Sequence, residues 1–180
     1  MIERLDELTF VRRAEALAWL LFDVDGVLTD GRLFYSGDGE QLKTFHVRDG
    51  MALRLAHRAG LKLGLLSGRR SRPIERRARD LEMESVVLGV GDKHAAFQSF
   101  LDANHIAASR IAYIGDDLPD LPVLDRVGRA FAPADAAPEV QARAHVVLDR
   151  RGGDACVREM IEKILRARGA WDDLVAHFLP

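Results

Sequence analysis

The sequence predicts an α/β fold: a three-layer, Rossmann-like parallel sheet flanked by helices. Two observations support this prediction. Short apolar runs alternate with longer amphipathic segments, which is the pattern of parallel strands joined by crossover helices. The chain has 180 residues and is 48% hydrophobic, which is enough to bury the core of one domain. We therefore expect residues 1–180 to form a single domain.

Six short apolar runs are the predicted strands, and six amphipathic segments are the predicted helices. The strands are Trp19–Asp23, Leu61–Leu66, Ser85–Leu88, Ile111–Ile114, Gly128–Ala132 and His145–Leu148. The helices cover about residues 50–59, 72–82, 93–104, 119–126, 137–143 and 154–168. Gly60 and Gly128 are expected to end helices, and Asp92 is a suitable N-cap.

A β-hairpin interrupts this alternation at about residues 32–46. Residues 32–36 and 41–46 have strand-like compositions and flank Gly37-Asp38-Gly39, a sequence that favours a tight turn. The hairpin follows the first strand before any helix. We therefore expect it to project from the domain.

Charge and composition exclude several classes of function. Lys and Arg number 26 against 28 Asp and Glu, so the chain has no overall positive field with which to bind nucleic acid. No apolar run is long enough for a membrane helix, so no membrane is expected as a partner. The N-terminus lacks a signal-peptide pattern, and Cys156 is the only cysteine. Both observations favour a cytoplasmic location.

Carboxylates follow two of the predicted strands. The first strand ends in Asp23-Val-Asp25-Gly26, and the fourth runs into Gly115-Asp116-Asp117, with Asp120 shortly after. Either motif alone could be a solvated turn with a helix cap. In a parallel sheet, however, the carboxyl ends of strands meet at one edge, where ligands bind. Two such motifs at that edge would attract a hard cation, and Mg²⁺ suits a site with few carboxylates.

Two other turns supply hydrogen-bond donors. Ser67-Gly68-Arg69 offers a hydroxyl and backbone amides after the second predicted strand, and Lys93 begins a helix after the third. Hydroxyl, amide and ammonium donors are the groups that bind a phosphoryl group. The pattern therefore predicts a site for a phosphorylated substrate.

Taken together, these four motifs resemble those of the haloacid dehalogenase-like phosphatases. A closer resemblance covers nearly the whole chain: residues 22–31, the hairpin, Val47–Gly50, and Arg151-Gly-Gly with Val157-Arg-Glu are similar to the 3-deoxy-D-manno-octulosonate (KDO) 8-phosphate phosphatases. The nonulosonate 9-phosphate phosphatases are near neighbours. Ala155-Cys156 departs from the Gly-Ala pair usual in that family.

The resemblance implies an aspartyl-phosphate mechanism. Asp23 would be the nucleophile, and Asp25 would protonate the leaving oxygen and then activate water. Mg²⁺ would be held by the Asp23 side chain, the Asp25 backbone carbonyl and Asp116. Ser67 and Lys93 would hold phosphoryl oxygens. Asp117 and Asp120 would orient Lys93 and metal-bound water.

The resemblance also implies a substrate site for a small acidic sugar phosphate. Arginine binds a carboxylate with two parallel hydrogen bonds, so arginines would recognise the sugar acid. The residues implied, besides Asp25 and Lys93, are His46, Arg48, Asp49, Gly50, Arg54, Gly68, Arg69 and Arg77. Arg77 lies in an arginine-rich segment and could equally belong to a solvated helix face.

Neither the segment 24–66 nor the segment 68–92 leaves room for a cap domain over the site. By resemblance, we expect a homotetramer in which the hairpin and the C-terminal tail cover a neighbouring active site; the C-terminal helix and tail together span about 154–180. KDO 8-phosphate is the expected substrate. The alternatives are a nonulosonate 9-phosphate (of KDN or an N-acylneuraminate), a generalist activity on small phosphoesters, a phosphomutase, and a catalytically silent binding module.

Overall fold

A six-stranded parallel sheet organises the chain, as predicted. The computed structural model describes residues 7–37 and 39–179. The sheet strands are β1 (Trp19–Phe22), β4 (Lys62–Ser67), β5 (Ser85–Leu88), β6 (Ile111–Ile114), β7 (Arg129–Ala132) and β8 (Val146–Val147). Their order is β5-β4-β1-β6-β7-β8. β2 (Phe34–Ser36) and β3 (Gly39–Leu42) form a separate antiparallel pair.

Helices cover both faces of the sheet. They are α1 (Glu7–Ala16), α2 (Val47–Arg58), α3 (Arg72–Asp80), α4 (Lys93–Asn104), α5 (Leu121–Leu124), α6 (Pro138–Gln141), α7 (Cys156–Ala167) and α8 (Trp171–Ala176). Leu53 of α2 and Ile161 of α7 belong to the core on one face, and Phe97 of α4 belongs to the core on the other. This three-layer arrangement explains why β1 and β6 are buried along their whole length.

The strand register brings the chemically interesting turns together. Phe22, the last residue of β1, lies opposite Leu65 of β4 and Ile114 of β6. The backbone amide of Asp23 then donates to the Ile114 carbonyl oxygen at 3.0 Å. The turns after β1, β4 and β6 consequently emerge side by side at the carboxyl edge of the sheet.

The hairpin forms, but the predicted boundaries of its second strand, residues 41–46, were wrong. β3 ends at Leu42 because the next residue, Lys43, turns its side chain into the domain, which leaves the residue 8% exposed. His46 lies outside the strand and is the N-cap of α2, where its Nδ1 accepts from the Arg48 amide at 3.2 Å. Asp38, in the predicted turn, lies outside the described residues.

Several helix boundaries also differ from the prediction. Helix α1 was not predicted, and the predicted helix 119–126 begins as a 3₁₀ turn, Leu118–Asp120, before α5. The helix predicted from residue 154 begins at Cys156, because Ala155 has a left-handed backbone with φ 65°. In the part of the chain that the structure describes, no helix is long and apolar enough to cross a membrane.

Candidate active site

A buried lysine holds two carboxylates at the carboxyl edge of the sheet. Lys93, the first residue of α4, reaches Oδ1 of Asp23 at 3.0 Å and Oδ1 of Asp120 at 2.6 Å. All three side chains are at least nine-tenths buried. The Tyr113 hydroxyl also donates to Asp120 Oδ1. Charged groups buried this deeply are tolerated only when they are paired and hydrogen-bonded. The contact with Lys93 therefore fixes the position of the Asp23 carboxylate.

Glycines at two strand ends allow the carboxylates to converge. A Cβ on Gly26 would lie 2.0 Å from Oδ2 of Asp116, and a Cβ on Gly115 would lie 2.4 Å from Cγ of Asp120. Gly26 also has φ 81°, which other residues rarely adopt. Gly26 therefore leaves the space in which Asp116 lies against the turn after β1, and Gly115 leaves the space that Asp120 occupies.

The remaining donor set fits a divalent cation. Carboxylate oxygens of Asp23, Asp116 and Asp120 lie within 4.8 Å of one another. Both oxygens of Asp120 already have hydrogen-bond donors. Its Oδ1 accepts from Lys93 and Tyr113, and its Oδ2 accepts from the Asp116 amide at 3.0 Å. Asp23 and Asp116 remain to bind a metal. One or two carboxylates with several waters is the usual coordination of Mg²⁺.

Burial, together with mutual repulsion, raises the pKa values of two of these carboxylates. Burial, followed by the negative charge of Asp120, raises the pKa of Asp23 to about 7 despite the proximity of Lys93. Burial and the charges of Asp23 and Asp120 raise the pKa of Asp116 to about 8. Burial opposes the charge on Lys93, but the two carboxylates outweigh it and raise its pKa. A cation between Asp23 and Asp116 would relieve this repulsion.

The predicted phosphoryl-binding residues line the same cavity. It has a volume of about 320 Å³ and is lined by Asp23, Asp25, Gly31, Leu33, Ser67, Gly68, Arg69, Lys93, Asp116, Asp117, Pro119 and Asp120. Ser67, the last residue of β4, is buried, and its Oγ accepts from the Arg69 amide at 3.3 Å. Asp117 is exposed and caps the following 3₁₀ turn through the Leu118 amide at 2.8 Å.

Lys43 belongs to the site but was not predicted from the sequence. Its Nζ, fully buried, forms an ion pair with Oδ1 of Asp25, across the turn that follows β1. Arg69 Nε lies 3.6 Å from the other Asp25 oxygen. Lys43 stands alone in a strand-like segment, and a single lysine there carries no motif. Only the fold brings it to the site.

Six predicted sugar-binding residues do not line this cavity. Arg48 lies in a groove beside α7, and His46 caps α2. Asp49 is 1% exposed and accepts from the Arg158 amide at 2.6 Å. Gly50, Arg54 and Arg77 line a second cavity of about 180 Å³ with Val47, Met51 and Leu81. Their contact with a substrate therefore remains a prediction.

Comparison with known proteins supports the resemblance. The sequence model of the haloacid dehalogenase-like hydrolases matches residues 86–160. The chain is 38% identical over 163 residues to the KDO 8-phosphate phosphatase KdsC of Escherichia coli K12, covering 91% of this chain and 87% of that protein. It is 40% identical over 158 residues to KdsC of Haemophilus influenzae, covering 88% of each.

Solved structures agree with this assignment. The KDO 8-phosphate phosphatase of Moraxella catarrhalis, in complex with magnesium, phosphate and KDO, has a TM-score of 0.90 at 32% identity, covering 94% of this chain and 97% of that one. The cobalt-bound enzyme of Haemophilus influenzae has a TM-score of 0.88 at 39% identity, covering 93% and 99%. The chain therefore belongs to the KDO 8-phosphate phosphatase family of haloacid dehalogenase-like hydrolases.

Proposed function

We propose that this protein is a magnesium-dependent phosphatase that hydrolyses KDO 8-phosphate to KDO and phosphate. The observation that carries the proposal is the buried Lys93–Asp23 pair beside Asp116 at the carboxyl edge of the sheet. Lys93 holds one oxygen of Asp23 in place, and Asp23 lines a cavity that also offers donors for a phosphoryl group. This is the arrangement needed for nucleophilic attack on a phosphomonoester.

The proposed reaction has two steps on the chain's own carboxylates. An Asp23 oxygen bonds to phosphorus while the bond from phosphorus to the sugar oxygen breaks, and Asp25 gives its proton to that oxygen. Asp25 then takes a proton from a water molecule, whose oxygen bonds to phosphorus and releases phosphate from Asp23. Ser67, Gly68 and Lys93 hold the phosphoryl oxygens, and Asp120 keeps Lys93 in position.

Asp23 and Asp116, with the backbone carbonyl of Asp25, are the proposed magnesium ligands. Bound magnesium supplies positive charge that screens the repulsion between the Asp23 carboxylate and the phosphate dianion. The fit rests on geometry, because carboxylate oxygens of Asp23 and Asp116 lie within 4.8 Å of each other. Burial and the neighbouring carboxylates raise the pKa values of Asp23 to about 7 and of Asp116 to about 8, so a cation there would stabilise their ionised forms. Asp117, on the exposed rim, is suited to contact metal-bound water.

The sugar acid is proposed to meet arginines across a subunit boundary. Arg69 is in the phosphoryl-binding cavity, whereas Arg54 and Arg77 line the second cavity. We propose that a neighbouring copy brings its second cavity to the site, so that arginines from two chains contact one sugar acid. His46, Arg48, Asp49 and Gly50 lie at the start of α2, the helix that carries Arg54, and are included in this proposal.

The hairpin is the proposed assembly surface of a homotetramer. Phe34, Tyr35 and Leu42 are 45%, 63% and 53% exposed, and a two-stranded sheet cannot bury them alone. In the tail, Trp171 packs on its own chain, while Phe178 and Leu179 remain exposed and could cover a neighbour. A monomeric mass with full activity, measured by light scattering at assay concentration, would contradict this proposal. A cytoplasmic location is proposed as well, from the single, buried, free cysteine.

The test is phosphate release from a panel of esters. We expect KDO 8-phosphate to be hydrolysed faster than a nonulosonate 9-phosphate or a simple sugar phosphate, and we expect EDTA to remove the activity and Mg²⁺ to restore it. Asp23→Asn should lose at least about a thousandfold in kcat while keeping the wild-type melting temperature within a few degrees. Undiminished turnover by Asp23→Asn would refute the nucleophile, and equal rates on all esters would indicate a generalist.

A further inference from the structure

Lys43 lies at the base of the hairpin and reaches the active-site turn. It is the first residue after β3, and its side chain is fully buried against Asp25, which has a side-chain exposure of 19%. A lysine side chain loses rotational entropy when it is fixed, and its charge is costly to bury. The Asp25 carboxylate is the charge that offsets this cost.

The two oxygens of Asp25 have different surroundings. Oδ1 accepts from the Lys43 ammonium. Oδ2, although buried, accepts no hydrogen bond from any residue that the structure describes, and Arg69 Nε stands 3.6 Å away from it. A carboxylate that transfers protons needs one oxygen held and the other free of competing hydrogen bonds. Asp25 has this division, and it lines the phosphoryl-binding cavity.

We propose that Lys43 is a positioning residue for Asp25: it anchors Oδ1 and so leaves Oδ2 as the proton-transfer atom. This inference rests on the proposed phosphatase function and extends it to a residue outside the four motifs. In the first step the Oδ2 proton passes to the sugar oxygen as its bond to phosphorus breaks. In the second step Oδ2 takes a proton from the attacking water.

The same contact links the hairpin to the chemistry. The hairpin reaches Asp25 by two routes: directly through Lys43, and through the Tyr35 hydroxyl, which lies 3.4 Å from Nη1 of Arg69. Arg69 is half exposed, so its contact with Asp25 is weakened by solvent, whereas the Lys43 contact is buried. Lys43 is therefore the residue through which hairpin position is expected to affect Asp25.

The test compares two leaving groups, because only one of them needs a proton. A sugar alkoxide must be protonated as it leaves KDO 8-phosphate, whereas p-nitrophenolate leaves p-nitrophenyl phosphate unaided. We expect Lys43→Met to lower kcat on KDO 8-phosphate by about 10- to 100-fold, with a much smaller change in KM. The loss on p-nitrophenyl phosphate should be several-fold smaller. The control is Lys62→Met. Lys62 is an exposed lysine at the amino end of β4, away from the active site, so this variant should retain activity on both esters.

A double-mutant cycle completes the test. If Lys43 acts through Asp25, then Lys43→Met should cost little further activity on p-nitrophenyl phosphate in an Asp25→Asn background. Equal losses on both esters, full additivity with Asp25→Asn, or no loss at all would overturn the inference. Failure of both Lys43→Met and Lys43→Gln to fold would also overturn it in favour of a structural role. Wild-type protein that hydrolyses neither ester with Mg²⁺ would instead refute the proposed phosphatase function.

Discussion

The Asp49 carboxylate on α2 caps the first turn of α7 by accepting a hydrogen bond of 2.6 Å from the Arg158 amide. The N-cap residue of α7 itself, Ala155, has no side chain able to do this. The first amides of a helix have no partner within the helix, so an acceptor supplied from elsewhere is stabilising. Asp49 thereby ties together two helices that pack on the same face of the sheet.

Asp49→Ala should destabilise the protein by about 1–3 kcal/mol, because the Arg158 amide would lose its acceptor. Asp49→Asn keeps an acceptor oxygen and should cost much less. Burial raises the pKa of Asp49 from 3.8 to about 6, so its ionisation costs stability as the pH rises from about 4 through 6. The free energy of unfolding of Asp49→Asn, measured in urea, should consequently increase relative to that of wild type as the pH rises from 4.5 to 7.5. Equal destabilisation by Ala and Asn would contradict the cap.

Ala155→Gly should stabilise the protein. Ala155 has φ 65° and ψ 27°, a left-handed conformation that costs a residue with a Cβ about 1–2 kcal/mol. Glycine adopts it freely but loses more entropy on folding, so the expected net gain is about 0.5–1 kcal/mol. The control is Ala103→Gly, at an exposed right-handed position in α4, which should destabilise. Thermal unfolding of both variants checks the prediction, and a loss of stability in Ala155→Gly would contradict it.

Gly26→Ala should abolish magnesium binding, whereas Gly60→Ala should not. The two glycines have almost the same φ, 81° and 80°, so both substitutions carry a similar backbone cost. They differ in surroundings, because a Cβ at Gly26 would displace the Asp116 carboxylate, whereas a Cβ at Gly60 would meet no atom within 4 Å.

Thermal unfolding with Mg²⁺ and with EDTA measures this difference. Magnesium at about 100 times its dissociation constant stabilises a folded protein by about 2.7 kcal/mol. We expect wild type and Gly60→Ala to show such a shift and Gly26→Ala to show none. A full magnesium-dependent shift in Gly26→Ala would rule out Asp116, in its present position, as a ligand.

The active site illustrates how far sequence can predict structure. Asp23 and Asp116 were expected to meet because each follows an apolar run, and parallel strands in register end at one edge. Lys43 and the cap provided by Asp49 were not expected, because each depends on a side chain meeting a segment distant in the sequence. The periodicity of apolar residues indicates which face of its own helix or strand a residue occupies. It does not indicate which side chains of another element contact that face.

The contact between β7 and the segment that precedes β8 depends on an unprotonated histidine. His145 precedes β8, and its Nδ1 accepts a hydrogen bond of 2.9 Å from the Ala130 amide in β7. Burial, together with the positive charges of Arg129 and Arg13, lowers the pKa of His145 to about 4. Protonation would remove the acceptor and place a third positive charge beside two arginines.

The contribution of His145 to stability should therefore be lost as the pH drops from about 6.5 to 4. In that range the unfolded chain binds a proton at His145 that the folded chain does not, so the unfolded state is favoured. His145 is partly exposed, which reduces the expected loss to roughly 1–2 kcal/mol. His145→Asn supplies an amide oxygen as the acceptor and cannot be protonated in this range, so its stability should fall less between pH 7 and 5. Urea unfolding at the two pH values measures the difference, and identical pH dependence in the two proteins would show that His145 is not responsible.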